Sequence, residues 1–139
     1  MRPNWTGIYP AVTTKFKENG ELDISAFIKN IKFQIESGVS GIIIGGSLGE
    51  SSTLNASEKI ELVTALQPYR SQVPVIMNIA ESSTTRAIEA ARLAEVSGAD
   101  GLMMLPPLLY KADADETVAY FKAVAAATSL PILLYNNPV

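Results

Sequence analysis

Two stretches of the sequence carry side chains suited to chemistry on a small acid. The turn Gly45-Gly46-Ser47-Leu48-Gly49-Glu50 combines glycines, which let backbone N–H groups come close to a ligand, with the Ser47 hydroxyl. Such a turn can grip a carboxylate or phosphate as an anion nest, or it can be a tight turn that only needs positive φ. Tyr135 closes an otherwise aliphatic run, and its phenol can exchange a proton with a group held nearby. It can equally be a buried tyrosine whose hydroxyl is simply satisfied. Spacing alone leaves both alternatives open. Asn136 and Asn137 before Pro138 read as turn residues, and Glu50 reads as a structural carboxylate bonding nearby backbone N–H groups.

Cysteine and histidine are both absent. Thiolate nucleophiles, disulfides, the usual zinc ligands and the imidazole base are therefore excluded together. Lys, Tyr, Ser/Thr and carboxylates are left to do any chemistry. No clustered Asp/Glu motif for Mg²⁺ stands out, so a metal is not expected. The formal net charge is −3, with Lys and Arg scattered, which is not the footprint of a nucleic-acid binder. No apolar stretch approaches the roughly 20 residues of a membrane span. The N-terminus lacks the basic leader and long apolar run of a secretory signal, which makes a cytoplasmic address the expectation. A small molecule is the expected partner.

The elements that must position these residues follow a regular pattern. Five short apolar runs, Gly7 to Val12, Gly41 to Gly46, Pro74 to Ala80, Gly101 to Leu105 and Pro131 to Tyr135, are nearly continuous, as strands buried on both faces are. Between them lie four segments of helical spacing. The first carries Ile24, Phe27, Ile28, Ile31 and Ile35, an amphipathic stripe. Asn55 with Glu58 and Asp113 with Glu116 have capping-box spacing, and Gly38 and Gly98 stand where left-handed helix ends are wanted. Ser37-Gly38-Val39-Ser40-Gly41-Ile42 recurs as Ser97-Gly98-Ala99-Asp100-Gly101-Leu102, and Val73-Pro74-Val75-Ile76 as Leu130-Pro131-Ile132-Leu133.

Alternating strands and helices give an open doubly wound sheet or a closed barrel. The repeat spans two β/α units, which favours the barrel, and no Gly-x-Gly-x-x-Gly follows the first run as a dinucleotide fold would require. The expected fold is α/β: the N-terminal part of a (β/α)8 TIM barrel, with four β/α units and a fifth strand in one domain over residues 1–139. A complete barrel needs about 250 residues, so the end at Val139 reads as a truncation. Working residues of such barrels lie at the C-terminal ends of strands. That selects Thr13 and Thr14, Ser47 to Ser52, Glu81 and Ser82, Pro106 to Tyr110, and Tyr135 to Asn137. Leu108 and Leu109, if exposed together, need a pocket or a subunit to cover them, and unpaired first and fifth strands invite association.

Taken together, Gly46-Ser47-Leu48-Gly49-Glu50, Gly98-Ala99-Asp100-Gly101 leading to Pro106-Pro107, and Tyr135-Asn136-Asn137-Pro138 resemble the dihydrodipicolinate synthase / N-acetylneuraminate lyase family of class I Schiff-base aldolases. The match runs in order from Gly7 to the last residue. The resemblance implies a pyruvate-type 2-oxo acid that forms an imine with a strand lysine. It implies Ser47 and Leu48 as the carboxylate-binding turn, Tyr135 as the proton-transfer residue, no metal or organic cofactor, and a homotetramer. The synthase pattern has a hydroxyl residue at Leu48 and a tyrosine pair at Leu108 and Leu109. These departures point away from dihydrodipicolinate synthase proper, toward members that dehydrate or deaminate sugar-acid or hydroxyproline-derived 2-oxo acids.

The resemblance places the Schiff-base lysine on a sixth strand, beyond Val139. Lys15, Lys17, Lys29, Lys32, Lys59, Lys111 and Lys122 all read as turn or helix residues, so this chain alone is expected to be inactive. The alternatives are a non-catalytic partial barrel that binds a small acid or serves only as an assembling module, and dihydrodipicolinate synthase proper.

Overall fold

The computed structural model describes residues 4–107 and 111–136. Helices α1 (Ile24–Glu36), α2 (Ala56–Ala65), α3 (Thr84–Ser97) and α4 (Ala114–Ala125) alternate with strands β1 (Ile42–Ile44), β2 (Val75–Ile79), β3 (Gly101–Met104) and β4 (Ile132–Leu134). The strands form one parallel sheet in the order β1-β2-β3-β4, with Ile43 opposite Ile76, Met77 opposite Leu102 and Met103 opposite Leu133.

Both faces of the sheet are covered at β1, β2 and β3, which explains their unbroken apolar runs, whereas Leu133 and Leu134 of the equally apolar β4 are exposed by 39 % and 57 %. Ile42, Ile44, Val75, Met77, Ile79, Leu102 and Met104 pack against the helices in the main core. The alternate residues Ile43, Ile76 and Met103, with Leu105, form a second cluster capped by Trp5, Tyr9 and Ala11. This is the inner face of the barrel wall. The α1 stripe behaves as its spacing demands, burying Phe27 and Ile31, each worth about 1.5–3 kcal/mol on transfer from water.

The first apolar run does not form a full strand. It meets β1 through an isolated parallel bridge between Ala11 and Ile43. Val12 N–H donates to the Ile43 carbonyl and Ile43 N–H to the Pro10 carbonyl, both at 2.9 Å. Pro10 has no N–H with which to extend the ladder.

The helix ends match their sequence signals. Asn55 with Glu58 and Asp113 with Glu116 form reciprocal capping boxes, and Gly98 caps α3 at φ +89°. The repeated six-residue motif gains a second explanation at its last glycine. A Cβ on Gly41 would strike the Tyr9 ring at 2.1 Å, and one on Gly101 would lie 3.1 Å from the Trp5 ring. Each missing side chain seats an aromatic residue of the N-terminal segment on the inner face.

Polar latches tie each unit to the next at the N-terminal end of the sheet. Arg70 grips Asp100 through two nitrogens, and the Asp100 carboxylate accepts the Val75 N–H at 2.9 Å. Glu95 accepts from the Thr128 hydroxyl at 2.8 Å and from the Ser129 hydroxyl and N–H. These latches leave the opposite rim free for the site.

Candidate functional site

All four strands run in parallel, so their C-terminal ends share one rim, and the turn after β1 lies on it. Gly45 leaves the strand at φ +64°, peeling the chain from β2 where continued register would set it opposite Asn78. Residues Ser47–Gly49 then form one 3₁₀ turn, closed by Gly49 N–H to the Gly46 carbonyl at 2.9 Å and Glu50 N–H to the Ser47 carbonyl at 3.1 Å. Among the described residues no protein acceptor takes the N–H of Ser47 or Leu48, or the Ser47 hydroxyl. Both side chains are exposed, Leu48 by 64 %. Neighbouring free N–H groups at the start of a turn can hold an anion.

Three anchors fix this turn. The buried Thr14 hydroxyl donates to the Gly49 carbonyl at 2.6 Å. The Asn78 amide donates to the Gly45 carbonyl at 2.9 Å. Gly49 lies so close to the Val12 carbonyl that a Cβ would sit 2.8 Å from it. Thr14 belongs to the rim set expected from sequence, whereas Asn78 does not. Its only sequence signal is a lone amide in an apolar strand, a signal with no spacing motif around it.

Glu50 does not act as expected. Its backbone adopts φ +57°, and its carbonyl accepts from the Thr53 N–H and hydroxyl at 2.9 Å. No hydrogen bond of its carboxylate occurs among the described residues. Backbone geometry, not the carboxylate, shapes the end of the turn.

Tyr135 follows β4, its N–H donating to the Met104 carbonyl at 2.8 Å. It lies two residues beyond Leu133, which pairs with the inner-face residue Met103, so alternation sets Tyr135 on the inner face at the same rim. The residue is 45 % exposed, and no hydrogen bond joins its phenol to the Ser47 turn among the described residues. Asn136 is also exposed, while Asn137, Leu108, Leu109 and Tyr110 lie outside the described residues.

On the helix side of the rim, a cleft of about 700 Å³ is bordered by Ser47, Ser51, Ser52, Lys59, Glu81 and Arg86. Lys59 and Glu81 pair across it at 3.1 Å, with side chains only 13 % and 22 % exposed. Tyr120 lies buried nearby, its hydroxyl without a partner among the described residues. Burial, reinforced by the Glu81 charge, holds its phenol above the usual range. Tyr135 does not line this cleft. Among the described residues no group of three acidic side chains gathers to hold a metal ion, and no helix is long and apolar enough to cross a membrane.

The order of these parts along the chain is shared with known proteins. The model of the dihydrodipicolinate synthetase family matches residues 4–139. The chain belongs to this family. A Rhizobium meliloti protein described as an uncharacterized DapA-like lyase is 35 % identical over 139 residues, covering 99 % of this chain and 46 % of the relative. The crystal structure of dihydrodipicolinate synthase DapA-2 from Bacillus anthracis superposes with a TM-score of 0.92 at 32 % identity, over 98 % of this chain and 47 % of that one. YagE, an Escherichia coli K12 prophage protein of the same family solved in complex with pyruvate, gives 0.91 at 33 % identity, over 98 % and 46 %. The chain thus spans about half the length of the relatives it matches, and its fold is the N-terminal part of the family's (β/α)8 barrel.

Proposed function

We propose that the intact protein is a Schiff-base-forming lyase acting on pyruvate or a related 2-oxo acid. In this reading the N–H groups of Ser47 and Leu48 and the Ser47 hydroxyl bind the substrate carboxylate. The keto carbon faces a lysine amine, which adds to it and expels water to give an imine. The imine then withdraws electrons from the bond being made or broken, and Tyr135 moves the proton at the neighbouring atom. The observation that carries the reading is the turn itself: N–H donors and a hydroxyl that are unpaired among the described residues, fixed by buried anchors on the rim where β/α barrels work. The pyruvate complex of YagE supports the choice of ligand class.

The lysine is not supplied by these residues. Lys15, Lys17, Lys29, Lys32, Lys59, Lys111 and Lys122 all lie off the strands, and Lys59 is engaged with Glu81. The chain by itself is therefore proposed to be inactive, with the lysine on a further strand of the barrel. Leu48 has no proton to relay, which favours dehydration or deamination of a sugar-acid or hydroxyproline-derived 2-oxo acid over the synthase reaction. Assembly as a homotetramer and a cytoplasmic location belong to the same proposal.

Intact mass after treating the full-length protein with pyruvate and borohydride tests the class. A reduced pyruvyl adduct on one lysine is expected. Its absence refutes the lyase and leaves the acid-binding, non-catalytic barrel. A substrate panel tests the branch, which fails if aspartate semialdehyde condensation is the only turnover.

A further inference from the structure

We propose that Asn78 is the positioning residue of the carboxylate-binding turn, an inference that rests on the 2-oxo-acid reading above. Asn78 is 2 % exposed and lies opposite Met103, on the inner face, directly beneath the rim. At this level regular pairing between β1 and β2 ends, because Gly45 turns out of register at φ +64°. The Asn78 side chain takes over from the ladder, its Nδ2 donating to the Gly45 carbonyl at 2.9 Å. A peptide plane held by its carbonyl is fixed in rotation. The two following residues, Gly46 and Ser47, start the turn whose N–H groups are the proposed carboxylate donors.

The other half of the amide strengthens the assignment. Asn78 Oδ1 is buried with no partner among the described residues, a cost that an apolar residue in this apolar layer would avoid. The amide is thus retained for the bond that its nitrogen makes, and that bond serves the turn.

The test measures borohydride trapping of the full-length protein across pyruvate concentration, for the native protein, Asn78→Asp and Asn78→Ser. Asn78→Asp keeps the shape but replaces the donor with an acceptor facing the Gly45 carbonyl. The half-saturating concentration should rise at least about tenfold, as the loss of one well-placed hydrogen bond allows, while trapping at saturation changes much less. Lowering the pH protonates the new carboxyl, which can then donate, so its half-saturation should move back toward native. Asn78→Ser keeps the test readable should the aspartate variant not fold, and should show the rise without the pH recovery. Unchanged half-saturation beside normal native trapping overturns the role of Asn78 alone. Equal losses in half-saturation and maximal trapping, with no pH recovery in the aspartate variant, reduce Asn78 to general support and also overturn it. A native protein that forms no adduct overturns this inference together with the lyase reading.

Discussion

Gly46 and Gly49 stand three residues apart in one turn, yet they should respond very differently to the same added methyl group. At Gly46 the backbone has φ −74°, open to any residue, and a Cβ would meet the Ala11 Cβ at 3.7 Å, an ordinary contact. At Gly49 no left-handed backbone is involved, but the Cβ would lie 2.8 Å from the Val12 carbonyl oxygen, where comfortable contact starts near 3.4 Å. The turn must retreat by about half an ångström, an overpacking cost of about 1–3 kcal/mol. That retreat stretches the 2.6 Å bond from Thr14 to the Gly49 carbonyl, adding about 0.5–1.5 kcal/mol. Gly49→Ala should therefore lose about 2–4 kcal/mol. At roughly 2–4 °C per kcal/mol for a domain of barrel size, the melting temperature should fall by about 5–15 °C. Gly46→Ala should stay within about 2 °C of native. Thermal unfolding followed by circular dichroism on the two variants, prepared side by side, is sufficient. Equal melting temperatures, or a larger loss at Gly46, would refute the claim that the turn is seated against Val12 and Thr14.

Two further outcomes follow from the latches and the cleft. The Ser129 hydroxyl, followed by the Thr128 hydroxyl and the Ser129 N–H, holds the Glu95 carboxyl below its ordinary value of 4.5. A depressed folded-state value gives stability that is present above the unfolded value and lost as pH falls through the folded one. Glu95→Gln should thus flatten the acid limb of a stability–pH curve below about pH 4.5, and an unchanged limb in acid titration would dismiss the latch. In the cleft, Lys59→Met leaves the largely buried Glu81 carboxylate unpaired and should cost about 1–3 kcal/mol, the cost of an unsatisfied buried polar group. Lys59→Met with Glu81→Gln should cost less than the two single losses summed, and simple additivity in urea denaturation would count against coupling.

Local signals in the sequence translated directly into structure. The capping boxes at Asn55 and Asp113, the stripe of α1 and the left-handed Gly98 each depend on residues within a few positions of one another. The barrel-wall strands were legible because burial on two faces removes alternation, and the first run fell short because Pro10 cannot donate to a ladder. The same two-faced burial hid Asn78: in a run without alternation, nothing marks which residue turns inward beneath the rim. Its partner Gly45 is 33 positions away, as Gly49 is 35 from Thr14, and spacing motifs do not reach that far. Glu50 departs from expectation because its residue type suggests side-chain bonding, whereas the turn uses its backbone.

The latches also bear on how the wall assembles. Arg70 with Asp100 spans 30 positions and Glu95 with Ser129 spans 34, and every strand pairs with the next one along the chain. Each joint closes over about one β/α unit, so a newly made unit can dock onto the one before it without waiting for distant sequence. Such a wall grows like a course of bricks laid from one end. Inner courses are held on two sides, whereas β4 is held on one side among the described residues. Until a following unit docks, the amides of such an end strand should exchange with solvent ahead of those of β2.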